Sequence, residues 1–362
     1  MRAALLLLFF VGACGPSLEA TNYLRFGIGG DGEYYVSPES MGTMQDLEAV
    51  SGSLGTVHQG GLVTMNAQGD TFYEGGRAMR VDFDVDDPMT LTAVPLDEQG
   101  LVLWSFYGHL EDLAGELSDH GFDRDVFFPI DAAWTPVLPD AMLEMLPMEN
   151  AAYATAGHFF ILLQDLISKD VPLAANAGIV RHEFGHAVFH WLTVGDTLAS
   201  SPFGAGAQSE SSLFYTSLHE GYADSFAALT LDDPDFFAAS LNMPARDLSG
   251  DHSVATVQLP AEFLATADEE LLAIWDPYPL GTLFAATAWD LRLATNDSAQ
   301  ALASLTTAVL TWTDQGDLGD AWGLLDTWVE QAPAGPARDS LCSSAERRFA
   351  GAHTVAACGG VR

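Results

Sequence analysis

The stretch Asn176–Leu192, NAGIVRHEFGHAVFHWL, sets two histidines four residues apart, with a glutamate directly after the first. On an α-helix that spacing projects both imidazoles from one face, one turn apart. Ile179, Val180, Phe184, Ala187 and Val188 supply an apolar surface that can bury such a helix. The spacing therefore predicts a buried helix from which His182 and His186 reach one metal ion. Glu183 lies beside them, turned slightly off the metal axis, where it can hold a water that the ion also holds.

Two histidine ligands with a glutamate general base is the arrangement of zinc-dependent hydrolysis. Zinc also requires a third protein ligand and an open fourth position. His190 does not qualify, because eight residues along a straight helix carry it about 12 Å from His182. The metzincin spacing fails too: it needs glycine and histidine where this chain has Phe189 and Leu192. The segment Ser217–Leu229, SLHEGYADSFAAL, offers a better partner. Glu220 and Asp224 are again four apart on a predicted helix. One carboxylate can bind zinc while the other accepts the outer N–H of a ligating histidine, which fixes that ring's tautomer. Alone, the pair reads as an exposed acidic helix face. After HEFGH it reads as a ligand and its support.

HEFGH followed by HEGYAD resembles the gluzincin metallopeptidases, whose pattern is HExxH and then ExxxD on a second helix. The neighbourhood looks most like the fungalysin branch, with thermolysin a more distant relative. YPLGTLFAATAWDLR (Tyr278–Arg292), SFYGHLEDLAGELSDHGFD (Ser105–Asp123) and ENAAYATAGHFFIL (Glu149–Leu162) carry looser likeness, so the resemblance covers about Leu101 to Thr295 in patches. It implies a two-lobed zincin domain in which His182, His186 and Glu220 bind zinc, Glu183 is the base, and Asp224 supports His182. It also implies hydrolysis of peptide or protein substrates. One position departs from the pattern: where fungalysin-like enzymes place an oxyanion-binding histidine, this chain has Tyr278. A phenol can donate the same bond. Failing Tyr278, His219 or the Gly/Ser-rich loop Val194–Ser212, VGDTLASSPFGAGAQSESS, is the next donor to examine.

Outward from these segments, the chain divides by composition. MRAALLLLFFVGAC begins with Arg2 and a short apolar run, too short to span a bilayer as a permanent helix. It reads as an export signal over residues 1–13. VGAC resembles the lipobox of bacterial lipoproteins, which implies lipidation of Cys14 and a cell-envelope location, with membrane contact only through that anchor. A cleaved signal and a secreted protein is the other reading. A tether over 14–22 follows. Residues 23–97 alternate in short runs broken by glycine and read as a small β-rich region. In VDFDVDDP the aspartates lack the glycine and glutamate of an EF-hand. Val81, Phe83 and Val85 alternate with Asp82, Asp84 and Asp86, the pattern of a strand with one wet face. Residues 98–362 form the expected peptidase domain. Its helical spacing appears at Trp104–Phe122, where Gly121 is the candidate terminator, and dominates from Leu213 onward. The fold class is α+β, in a chain expected to be monomeric.

Fifty acidic residues against 13 basic ones give a formal net charge of -37. That excludes nucleic acid as a partner, because neutralising phosphate needs lysine and arginine. The acidic surface reads as solvation, with calcium the minority reading for some carboxylates. After export, Cys342 and Cys358 remain, an even count in an oxidising compartment, and are expected to pair. The resemblance carried by HEFGH and HEGYAD implies a zinc endopeptidase, and the N-terminal segment an exported one. Two other readings stay open: an aminopeptidase of the same fold, and a non-catalytic zinc-binding surface lipoprotein.

Overall fold

The computed structural model describes residues 20–29, 33–67, 70–87, 91–143, 151–163, 170–195, 201–203, 210–257 and 276–359. Cys14 and the expected signal segment over 1–13 lie outside them, as does most of the Gly/Ser-rich loop. The class is α+β, with strands dominating the first half and helices the second. The strands are β1 (Asn22–Ile28), β2 (Tyr34–Ser40), β3 (Met44–Asp46), β4 (Ser51–Gly52), β5 (Gly55–Gln59), β6 (Leu62–Met65), β7 (Thr71–Glu74), β8 (Arg77–Ala78), β9 (Phe83–Asp87), β10 (Thr92–Pro95), β11 (Asp131–Trp134), β12 (Ala151–Ala154) and β13 (Phe159–Leu162). The helices are α1 (Glu98–Glu116), α2 (Arg124–Phe127), α3 (Asp140–Leu143), α4 (Ala177–Thr193), α5 (Glu210–Leu231), α6 (Tyr278–Thr295), α7 (Ser298–Gln315), α8 (Ala321–Gln331) and α9 (Pro336–Arg348).

One sheet has the order β2-β1-β10-β9, and a larger one runs β12-β13-β11-β5-β4-β3. β5 pairs in parallel with β11, Val57 opposite Ala132 and Gln59 opposite Trp134. The segment before residue 97 and the segment after it therefore share a sheet, and both contribute to one continuous apolar core. β13 reads FFIL because both of its faces are buried. Phe160 and Leu162 enter the main core, while Phe159 and Ile161 enter a second, smaller cluster with Val63 and Leu138. Of the wet-faced pattern β9 covers Phe83–Asp87, with Asp84 exposed and Phe83 and Val85 half-buried, while the buried Val81 and the exposed Asp82 lie just before the strand.

α1 begins six residues before the Trp104 start that periodicity suggested, and ends at Glu116. Asp97 caps it by accepting from the Gly100 N–H at 2.8 Å. Gly121 lies beyond the helix, in a turn with φ +86°. The first sheet lies against α1: Arg25 of β1 makes a two-pronged ion pair with Asp112, at 2.7 and 3.0 Å.

The start of α4 is held from far away in sequence. Asn176 caps it, its side-chain oxygen accepting from the Gly178 and Ile179 N–H groups. The Tyr34 hydroxyl of β2 donates to the same oxygen at 3.0 Å and accepts from the Ala177 N–H at 2.9 Å. Asn176 Nδ2 donates to Ser240 at 2.8 Å. All of α4 except Trp191 is buried. At the other end of the chain Cys342 and Cys358 form a disulfide, Cα–Cα 5.4 Å, closing a loop of 16 residues. A loop of that size stabilises by about 3 kcal/mol on the chain-entropy account. Arg347 and Arg348 of α9 both reach Asp290 of α6, fastening the last helix to the site-bearing half.

Candidate metal site

Two glycines bring the helices close enough to build the site. At Gly185, the fourth residue of HEFGH, an added Cβ would lie 2.7 Å from Ala223 Cα. Real contacts do not come that close, so α4 and α5 can cross here only over a residue without a side chain. The crossing sets Glu220 and Asp224 against the histidines. At Gly221, an added Cβ would meet the Gly281 carbonyl at 2.6 Å, which draws the start of α6 against Glu220.

His182, His186 and Glu220 converge as the spacing predicted, with ligand atoms all within 4.8 Å of one another. They form the one such group of three among the described residues. His182 Nε2 lies 3.4 Å from Glu220 Oε2, and His186 Nε2 lies 3.8 Å from it. Donors bound to a tetrahedral ion at 2.0–2.2 Å sit roughly 3.4 Å apart, so the spacing suits one. Glu220 Oε2 is buried and has no hydrogen-bond partner. His182 and Arg246, 3.4 and 3.8 Å away, compensate its charge without a hydrogen bond, and an ion between the imidazoles would satisfy the oxygen directly. The residues fit a metal ion.

Charge is distributed unevenly across the group. Burial opposes the charge on Glu220, but His186, His182 and Arg246 outweigh it and hold the carboxyl at about 2. Burial also opposes a proton on His182, yet Asp224 and Glu220 raise the ring to about 9. An ion would displace that proton, since the metal takes the neutral ring. Burial pushes His186 down to about 4 against the pull of Glu220. Burial raises Glu183 to about 7, and the neighbouring Glu220 adds to this, while His182 and the Tyr153 N–H pull the other way. That N–H donates to Glu183 Oε2 at 2.8 Å. Tyr153 belongs to β12, the terminal strand of its sheet. The outer edge of β12 therefore faces Glu183.

Asp224 stands where the sequence placed it, with Oδ1 2.9 Å from His182 Nδ1. Behind it is a residue that the motifs do not include. Arg246 is buried, bonds both oxygens of Asp224, and comes within 3.8 Å of Glu220 Oε2. Its guanidinium carbon lies 4.4 Å from the centroid of the Phe237 ring and 4.3 Å from that of the Tyr278 ring. A signal for it was present. Arg246 is the only basic residue between Arg181 and Arg292, in a chain short of cations.

Tyr278 stands between Pro277 and Pro279. It opens α6, where proline is tolerated because the first turn has no intrahelical acceptors for its N–H groups. The ring covers Arg246 and is 38% exposed. The charge of Glu220, with burial, raises the phenol, and Glu183 adds to it. The hydroxyl thus stays protonated and feels both carboxylates. His190 is buried on α4, away from the group of three.

The sequence matches no protein-family model. A comparison with curated proteins finds no significant relative.

Proposed function

We propose that this chain is a zinc-dependent endopeptidase of the gluzincin type, built on a two-lobed zincin fold with a mostly helical second lobe. The observation that carries the reading is the buried Glu220 Oε2, without a hydrogen-bond partner and facing two imidazoles, next to a glutamate held near neutrality. His182, His186 and Glu220 would hold the ion. When bound, zinc supplies a Lewis acid that polarises water and the scissile carbonyl. Glu183 would take the proton of the attacking water and deliver it to the leaving amine, a role that a carboxyl raised to about 7 supports. The Tyr153 N–H fixes the orientation of that carboxylate. Asp224 and Arg246 hold the His182 ring. The outer edge of β12 offers main-chain groups to an extended peptide, which can add as a further strand. The Tyr278 hydroxyl is the donor for the developing oxyanion.

The VGAC segment supports export and lipidation at Cys14. Intact mass of the mature chain tests that separately, and an N-terminus downstream of Cys14 without lipid would refute it.

The decisive experiment is turnover of a broad peptide library with and without a chelator, beside metal analysis of two variants. Glu183→Gln should keep zinc and lose nearly all hydrolysis, because the base is not a ligand. Glu220→Ala should lose zinc. Activity of Glu183→Gln within a few-fold of wild type would remove Glu183 from the chemistry.

A further inference from the structure

Resting on the reading of His182, His186 and Glu220 as a metal site, we propose that His219 is a positioning residue for His186, orienting its imidazole by face-to-face stacking in place of a hydrogen bond. The two rings lie 4.4 Å apart, centroid to centroid, at an interplanar angle of 13°. His186 Nδ1 is buried and has no hydrogen-bond partner. A ligating histidine almost always gives that second nitrogen to a carboxylate, carbonyl or water, which fixes the ring. His182 Nδ1 has the Asp224 carboxylate 2.9 Å away as an ion-pair partner, whereas His186 has the stack.

His219 is itself held. Tyr215 stacks on it at 6.0 Å and 29°, and Phe189 meets it edge-on at 5.1 Å and 76°. The Thr193 hydroxyl donates to the Phe189 carbonyl at 2.8 Å, so the Tyr215 hydroxyl, 2.9 Å away, donates to Thr193. Both anchors therefore connect to the last turns of α4, the helix that carries His186. His219 supplies no ligand atom to the group of three.

The stack acts on the ion as well as on the fold. An imidazole bound to a cation is electron-poor, and the π-face of a neutral ring attracts it more strongly than it attracts a free imidazole. Removing the ring should thus weaken metal binding more than it weakens the apo-protein.

The test uses the full chain as wild type, His219→Ala and His219→Phe. Zinc affinity is read by chelator competition, geometry by the visible spectrum of the cobalt-loaded protein, and folding by circular dichroism of the apo-protein. His219→Ala should bind zinc about fivefold more weakly, the worth of one stacked pair, with a shifted cobalt spectrum. His219→Phe should restore both. Wild-type affinity and spectrum in His219→Ala would overturn the proposal. So would a folded His219→Phe with weakened zinc binding or a shifted spectrum, even if His219→Ala fails to fold. Wild-type protein that takes up neither zinc nor cobalt would instead sink the metal reading itself, and the role of His219 with it.

Discussion

The two flanks of the metal group are built from different chemistry. On the His182 side, orientation comes from charge: Asp224 meets Nδ1, and Arg246 locks Asp224 from behind. On the His186 side the neighbours are rings: His219 stacks on the imidazole, and Tyr215 and Phe189 pack on His219. The difference separates two costs. A charged flank is strongly directional and fails badly when one member is removed, because a buried ion is left without its partner. An aromatic flank loses only one contact at a time.

The largest break in this comparison is Asp224→Ala. It leaves Arg246 buried beside an uncompensated site and His182 Nδ1 without a partner. Removing one member of a buried pair costs about 3–5 kcal/mol, and loss of such support weakens metal affinity on the order of 10- to 100-fold. Urea denaturation and chelator competition measure the two. An effect no larger than that of His219→Ala would erase the distinction between the flanks.

Tyr278→Phe asks whether the charged flank extends to the substrate. The ring remains over Arg246, so only the hydroxyl is lost. A fall in kcat of about tenfold with KM little changed is expected, less than the loss of a sole oxyanion donor because the ion shares the charge. Steady-state kinetics on a peptide substrate provides the measurement. An unchanged kcat would leave Tyr278 as a cover for Arg246 alone.

The smallest effect comes from an ion pair outside the site and serves as its reference. Burial opposes the charge on Asp112, but its bonds to His109 and Arg25 outweigh this and hold the carboxyl at about 2, below the ordinary 3.8. A depressed carboxyl contributes stability that is present above about 3.8 and fades as pH falls toward 2. Wild type should therefore exceed Asp112→Asn in urea midpoint at pH 6, with the gap closing between pH 4 and pH 2. Asp112 is 40% exposed, so solvent screens the pair and the gap should be modest. A gap that persists at pH 2 would show that packing, not charge, sustains it.

The parts of the site legible in sequence are those set by local periodicity. HEFGH and ExxxD each place two side chains on one helix face, and four-residue spacing is enough to see that. Strand β9 and the Cys342–Cys358 pair are readable for similar reasons, alternation and parity. What periodicity does not encode is which helix face meets which. Arg246 reaches Asp224 across 22 residues and a turn, through no motif. Likewise β5 joins β11 in parallel from 75 residues away, and a parallel register leaves no mark in either strand. The end of α1 was misplaced because a 3.6-residue pattern continues past the point where the backbone leaves the helix. The cap at Asp97 and the turn at Gly121 decide its length.

Tyr34 and Asn176 meet across 142 positions. Folding slows as contacts become more distant in sequence, since a long loop must close before the contact rewards it. The helix bearing HEFGH is thus completed by a strand synthesised well before it, and Glu220 and Arg246 follow later still. A growing chain carries the early strands before it carries either histidine. The His182, His186 and Glu220 group is consequently incomplete until the chain has grown past Arg246, and a chain that stops short of that residue lacks the clamp on Asp224.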